Sequence, residues 1–349
     1  MNEPVVVSAT LLRRLTEALL RDRAVRQDVA DHVAASLLQT SLRGVDSHGL
    51  ELLPHYVRAV DARRINRDPQ YRFEQTAAAT GRLDADHTFG HAAGAEAMTH
   101  AMVMARDAGT GIVTVYNSSH FGAAAYFALL AANEGFLAFS FTHADALMLS
   151  HGGTRAFFGT NPICFAAPCA GEEPFCLDMA TTLVSWNKIL RRRDADAPLE
   201  EGWAVDEHAE PTTDAGAARM PSPIGVYKGF GLAMMIDILC GVLTGMPFGR
   251  DISRMYADPI EQKRLLGHCF MAIDPARFVE PAQFKKRLQE MMERVRAEPQ
   301  KDPDVTVMVP GDPEKQAFRE RTQKGIPISS RTWERFVELA AEVNVPLAE

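Results

Sequence analysis

Two short apolar runs constrain this chain more than any other feature. They are GIVTVY at Gly111–Tyr116 and FLAFSFT at Phe136–Thr142. Both are rich in β-branched or aromatic residues and have the length of buried strands. Between them Asn117–Gly122 reads as a turn and Ala123–Asn133 as a helix, with Gly135 just past its end. Strand, turn, helix, strand is the order of a βαβ unit. Such a unit needs a sheet with helices laid against it, so the class is α/β.

The flanks extend this pattern. Ile163–Ala167, Phe175–Leu177, Gly267–Ile273 and Val305–Val309 read as further strands, and Thr181–Leu190 and Ala282–Val295 as helices. Near the start, Thr10 can cap a helix carrying Leu11, Leu12, Leu15 and Leu19. A second helix spans Val25–Leu42 and a third His55–Arg63. Near the end, Arg331–Val343 spaces Trp333, Phe336, Leu339 and Val343 as one helical face. At 349 residues the chain exceeds an average domain, so two lobes are expected. The helical ends, 1–70 with 315–349, form one lobe. Residues 71–190 with 224–314 form the α/β domain. The proline-rich, polar segment 191–223 is a loop or small excursion.

Composition excludes several classes. The net charge is −8 and no basic stripe stands out; the triplet Arg191-Arg192-Arg193 is followed at once by Asp194, which argues against nucleic-acid or anionic-membrane partners. Five cysteines without a CxxC pair argue against a disulfide framework or structural zinc, and no metal-ligand spacing is recognised elsewhere. The apolar run Gly229–Gly245 is under 18 residues and contains Asp237, so it reads as a buried helix, not a membrane span. The first residues lack a signal-peptide pattern. A reduced, cytoplasmic protein is expected.

Several residues could carry chemistry. His120 follows a strand and precedes a helix, where α/β proteins bind ligands, but it also suits a turn. Asp46-Ser47-His48-Gly49 puts a carboxylate, a hydroxyl and an imidazole in one turn, fit to hold a histidine in one tautomer or simply to cap a helix. Asp178, at a strand end, could orient a histidine, bind a ribose hydroxyl or cap the following helix. Lys228, in Tyr227-Lys228-Gly229-Phe230-Gly231, sits beside two glycines at a helix start, where it could meet a phosphate or lie on the surface. Gly159-Thr160-Asn161-Pro162 is a tight turn that lets backbone approach a ligand. The chain has neither GxGxxG nor GxxxxGK[ST], so no usual dinucleotide fingerprint is present.

Taken together, RGVDSHG (Arg43–Gly49), NSSHFGAAAYF (Asn117–Phe127), HGGTRAFFGTNPICFAAP (His151–Pro168), LDMATT (Leu177–Thr182) and YKGFGLAMMIDILCGVLTG (Tyr227–Gly245) resemble the malate/L-lactate dehydrogenase type II family, also called sulfolactate dehydrogenase-like. The Trp203–Asp206, Pro211–Asp214, Gly245–Arg250 and Met255-Tyr256 patterns are similar to its ureidoglycolate dehydrogenase branch. The resemblance implies a non-Rossmann α/β fold with a central mixed sheet and a helical lobe from both chain ends. It implies a homodimer that uses NAD, or NADP, on a small-molecule 2-hydroxy or 2-oxo acid. Cyclic imino-acid reduction on the same scaffold is the alternative.

By the same resemblance His48, Ser47, Asp178 and His120 are catalytic. Ala144, Asp178, Met179, Ala180, Lys228, Pro310, Gly311 and Asp312 meet the dinucleotide. Thr160, Asn161 and Arg155 face the substrate, and no metal takes part. The sequence departs from the family at Leu52, where many relatives carry an arginine for the substrate carboxylate. His55, Arg58 and Arg155 are candidates to replace it. Leu52 also motivates a reading from another class, a non-catalytic ligand-binding homologue. The joint presence of His48, Ser47, Asp178, His120 and Lys228 argues against that reading.

Overall fold

A computed structural model of the protein describes residues 3–347. Its centre is a seven-stranded sheet, with strands numbered along the chain: β1 (Arg72–Ala77), β2 (Thr80–Asp84), β3 (Thr110–Ser118), β4 (Leu137–Thr142), β5 (Ile163–Ala167), β6 (Phe175–Met179) and β7 (Leu266–Ile273). Their order across the sheet is β1-β2-β3-β7-β4-β5-β6. Only β2 and β3 are parallel neighbours. The mixed sheet is thus the expected one, but its βαβ unit is opened up. β3 and β4 do not touch; β7 lies between them, antiparallel to both. A strand contributed from over a hundred residues downstream completes the middle of the sheet.

Helices cover this sheet as the class requires. Ten are numbered in chain order: α1 (Ala9–Asp22), α2 (Gln27–Leu42), α3 (Leu53–Asp61), α4 (Gly90–Ala108), α5 (Ala125–Asn133), α6 (Trp186–Asp194), α7 (Tyr227–Asp237), α8 (Pro281–Arg296), α9 (Asp312–Lys324) and α10 (Ser330–Glu342). α4, which no sequence signal announced, packs on β3 and β7 through Ala93, Ala97, Ala101 and Ala105, all buried. These small side chains let backbones meet: a Cβ on Gly111 would lie 2.1 Å from the Ala101 carbonyl oxygen. Phe121, Phe127 and Phe270 fill the space beyond, with Phe127 4.9 Å and 5.1 Å from the other two ring centres.

A second core joins α1, α2, α3 and α10 through Leu12, Leu15, Leu19, Val33, Leu37, Tyr56, Phe336 and Leu339. Both chain ends enter it, and Val5–Val7 pairs antiparallel with Ile326–Ile328. Ser8, not Thr10, caps α1, its Oγ accepting from the Leu11 amide at 3.2 Å. The segment 191–223 is organised by Trp203, packed with Ile189 and Leu199 beside a small three-stranded sheet. Lys188 stands 4.5 Å over the Trp203 ring.

Three local expectations change. Val305–Val309 is irregular, not a strand. The helix expected from Thr181 starts at Trp186, where Ser185 accepts from the Lys188 amide. The run Gly229–Gly245 is not buried all round: α7 passes into a π-helical turn at Ile238–Val242, and Tyr227, Met234, Met235, Ile238 and Val242 are exposed along it. Asp237 in that run is buried for a reason. Its Oδ1 accepts from His143 Nδ1 at 3.0 Å and its Oδ2 from the Gly249 amide at 2.8 Å.

Replacing Phe270 by alanine should cost about 3–5 kcal/mol, because a fully buried ring at the centre of the sheet cannot be refilled. Urea unfolding should show this as a lower midpoint.

Candidate active site

A cavity of about 600 Å³ opens between the two cores. Its walls come from the turn after α2, the loop joining β3 to α5, the end of β6 and the loop before α9. The α2 turn is held from two sides. Arg321 of α9 donates to the Ser41 carbonyl at 2.6 Å and to Asp46 at 3.1 Å. Ser41 Oγ accepts from the Leu50 amide at 2.9 Å, and a Cβ on Gly49 would fall 2.2 Å from that same oxygen. Only glycine lets the turn lie this close to α2.

This turn presents Ser47 and His48 to the cavity, and the loop after β3 presents His120. Ser47 Oγ is 2.9 Å from His48 Nδ1. The His48 and His120 rings stack with centres 5.9 Å apart. Tyr56 of α3 bonds His120 Nδ1 at 2.6 Å and lies edge-on to the buried His91, 4.9 Å away. Burial lowers the pKa of His48. It pushes His120 well below the ordinary histidine range, helped by the neighbouring imidazoles and the charge of Arg264. Both rings are neutral at pH 7. Each has one nitrogen engaged by a hydroxyl, and no protein hydrogen bond forms at the other, Nε2, among the described residues.

Asp178 also faces the cavity. It lies within β6, opposite Cys164, rather than past the strand end. Its Oδ2 accepts from the Ala125 amide at the start of α5, at 2.9 Å. The residue is exposed toward the cavity, and desolvation by the protein around its carboxyl raises the pKa to about 6.

The residues assigned to the dinucleotide divide. Ala144, Met179, Ala180, Pro310 and Gly311 line the cavity. Asp312 stands behind the loop, bonding Arg296 at 2.6 Å and the Val309 amide at 3.0 Å, so it braces Pro310 and Gly311. Lys228 is exposed on the first turn of α7, outside the wall; a Cβ on Gly229 next to it would lie 2.6 Å from the Thr181 carbonyl, one residue beyond Ala180. The wall fits a dinucleotide without a Rossmann turn. Gly122, Ala123, Ala124, Ala125 and Ala180 leave it open, and a Cβ on Gly311, at φ +96°, would strike the Cys176 carbonyl.

The substrate candidates divide as well. Thr160 is on the wall. Asn161 is fully buried, accepting from the Ala144 amide at 3.0 Å and donating to the Ala233 carbonyl at 2.9 Å, so both its ends are already engaged. Arg155 is exposed in the hairpin between Met148–Leu149 and Ala156–Phe158. Leu52 packs into the helical core. Among the described residues no cluster of three or more His, Cys, Asp or Glu side chains could hold a metal ion.

Sequence reading passed over Tyr56 and Arg264. Nothing in KRLLG (Lys263–Gly267) marks a site. In three dimensions Arg264 is 3% exposed and donates from Nη2 to Asp145 at 2.7 Å, while its Nε and Nη1 are buried without a partner. A half-paired buried guanidinium is costly unless an anion completes it. Its positive charge adds to the burial, and to the charges of Arg64 and Arg58, that lower the pKa of His55 to about 4, and it also lowers that of His120.

Residues 7–337 match the malate/L-lactate dehydrogenase family. The chain is 36% identical over 291 residues to the ureidoglycolate dehydrogenase (NAD(+)) of Escherichia coli K12, covering 83% of each protein. It superposes on the malate dehydrogenase of Entamoeba histolytica with a TM-score of 0.94 at 25% identity, over 99% of this chain and 100% of that one. It superposes on the sulfolactate dehydrogenase of Methanocaldococcus jannaschii with a TM-score of 0.91 at 28% identity, over 98% of each. The protein is an oxidoreductase of the α/β type, with helices from both ends closing its site. More particularly, it belongs to the malate/L-lactate dehydrogenase family and is an NAD(P)-dependent 2-hydroxy acid dehydrogenase.

The raised pKa of Asp178 fixes the sign of a stability effect. Above pH 6 its carboxylate is ionised where the fold disfavours charge, and the native state bears the whole penalty. The penalty fades as pH falls from 6 toward about 4, the unfolded value. Asp178→Asn should therefore melt higher than the parent at pH 8, with the gap closing near pH 4, while turnover falls. Melting curves at both pH values check this.

Proposed function

We propose that this enzyme oxidises a small 2-hydroxy acid with His120 as proton acceptor and Arg264 as the anchor of the substrate carboxylate. The observation that supports this most is the unpaired edge of Arg264, whose charge acts on the same histidine that Tyr56 holds. Arg264 would do for this chain what Leu52 cannot.

The steps follow from the chain's own groups. With Nδ1–H donated to the Tyr56 oxygen, His120 turns the Nε2 lone pair to the substrate hydroxyl. His48, held by Ser47, stacks beside it and completes the polar wall. Arg264 takes the carboxylate through the forked geometry that only a guanidinium offers. Burial is what chiefly holds His120 down; the bound carboxylate offsets the smaller part that comes from the Arg264 charge and so raises the basicity of the imidazole. Asp178, Met179, Ala180, Pro310 and Gly311 would hold the dinucleotide, with Lys228 near its phosphates. Once bound, the dinucleotide supplies the hydride acceptor or donor. NAD is favoured over NADP because Glu314 and Asp178 line the same cavity and Arg43 there is already paired with Glu173.

A second copy of this chain would cover the exposed face of α7. Tyr227, Met234, Met235, Ile238 and Val242 recur at helical spacing there, an apolar stripe that suits an isologous contact between copies. Light scattering should give twice the chain mass, and Met235→Glu should shift it toward one copy.

Two kinetic results are expected. In the oxidation direction the acid limb of kcat should lie at higher pH than that of kcat/KM, since bound carboxylate raises the base. His120→Ala should lose roughly 10²- to 10⁴-fold in kcat, and Arg264→Leu should raise KM roughly ten- to a hundredfold. The decisive assay follows NADH and NADPH consumption against oxaloacetate, pyruvate, oxalurate, sulfopyruvate and cyclic imino acids. Turnover of an oxo acid to its alcohol supports the reading; turnover confined to imino acids, with amine as product, overturns it.

A further inference from the structure

A second cavity, of about 560 Å³, lies at the surface where the loop after α3 meets the segment before β7. Arg23, Arg63, Arg67 and Lys263 line it against two carboxylates, Asp61 and Asp86, leaving two positive charges in excess (four less two) on a chain of net charge −8. Both carboxylates are taken. Asp61 forms an ion pair with Arg23, 2.9 Å from its Nε, and Asp86 accepts from Asn66 Nδ2 and the Gln70 amide, each at 2.9 Å. Among the described residues Arg63, Arg67 and Lys263 have no carboxylate partner; Lys263 donates only to the Arg63 carbonyl, at 2.8 Å. His87 adds a buried Nδ1 without a hydrogen bond. Arg63, Asp86 and His87 all hold left-handed backbone, at φ +59°, +46° and +59°. Strain gathered on one wall together with unpaired cations is the pattern of a built site rather than of a solvated surface.

The pocket also backs onto the substrate side. Arg63 is followed by Arg64 and Lys263 by Arg264. In each pair the first residue faces this pocket and the second turns inward. Arg64 is fully buried and donates to the Met255 and Pro259 carbonyls at 3.0 and 2.7 Å. Asp145, the partner of Arg264, also accepts from the Met255 amide at 3.4 Å.

We propose that this pocket binds a small, multiply charged anion carrying phosphate or carboxylate groups, and that its occupancy changes the grip of Arg264 on substrate. The binding claim is independent of the proposed reaction. The coupling claim rests on the Arg264 reading, through the two dipeptides that join the sites.

The test is calorimetry on the whole protein saturated with NADH, so that the dinucleotide site is filled. It is titrated with inorganic pyrophosphate and, separately, with citrate. We expect saturable binding of at least one probe near one per chain, weakened at least tenfold in Arg63→Gln/Arg67→Gln and also in Lys263→Met. Arg63 and Arg67 are exposed, so the double variant should fold and turn over within twofold of the parent when no anion is added. Saturation by neither probe, or equal affinity in parent and both variants, overturns the site. With the site established, KM for the oxo acid should move with the bound anion in the parent and stay fixed in the double variant. A KM that does not respond in the parent overturns the coupling.

Discussion

A buried chain of three groups sets the rest of this structure. Asp237 accepts from His143 Nδ1, and His143 Nε2 accepts from the Gly267 amide at 2.9 Å. All three are out of water, where a carboxylate is tolerated only if its lone pairs are filled. This relay ties the π-helical end of α7 to the loop after β4 and to the start of strand β7. A Cβ on Gly267 would lie 1.9 Å from the Cys240 carbonyl, so this junction admits no side chain. β7 is thereby held between two strands that the sequence order would have made neighbours. Arg264 enters just ahead of it, and His143 itself stands on the wall of the large cavity. One polar relay thus sets the substrate side and the dinucleotide side relative to each other.

Electrostatics in the site follow from what is buried and what is left incomplete. His48, His120, His55 and His91 all have depressed pKa values, chiefly through burial. His48 and His120 make an uncharged polar wall in neutral solution, and His55 and His91 are buried off it. Against it stand one guanidinium with two unpaired nitrogens and one carboxylate that is ionised where its surroundings disfavour charge. Each of these is a cost to the empty fold that a ligand of the right charge removes. This is the arrangement expected where binding energy is used to change the basicity of a reacting group.

Much of this could be read from residues, and the remainder fails for definite reasons. The strands of β-branched residues, the leucine-rich terminal helices and the SHG turn all carry local signals, because each is specified by neighbours in sequence. α4 was missed because its contacts use alanine and glycine, whose packing role is to be small and leaves no apolar period. The place of β7 was missed because strand order is set by a pairing from distant parts of the chain. Asn161 looked like a ligand in its turn, but its side chain is used up holding Ala144 and Ala233. Arg264 could not have been found, since its meaning lies in a hydrogen bond it lacks. Their turns marked His48 and His120, and resemblance to the family gave them roles; only geometry showed the half-paired guanidinium of Arg264.

The pairing of Val5–Val7 with Ile326–Ile328 has a consequence for how the protein is made. The first strand leaves the ribosome more than three hundred residues before its partner exists. α1 and α2 can form early, but the lobe cannot close until α10 has been synthesised and docked. Until then the side of this core that Phe336 and Leu339 cover stays open to solvent, a newborn chain with an open seam. The α/β domain, complete well before α10, is available as a template during that wait. Vectorial synthesis therefore makes the last helix the step that seals the enzyme, and a chain released short of it would be a substrate for chaperones and proteases rather than a weaker catalyst.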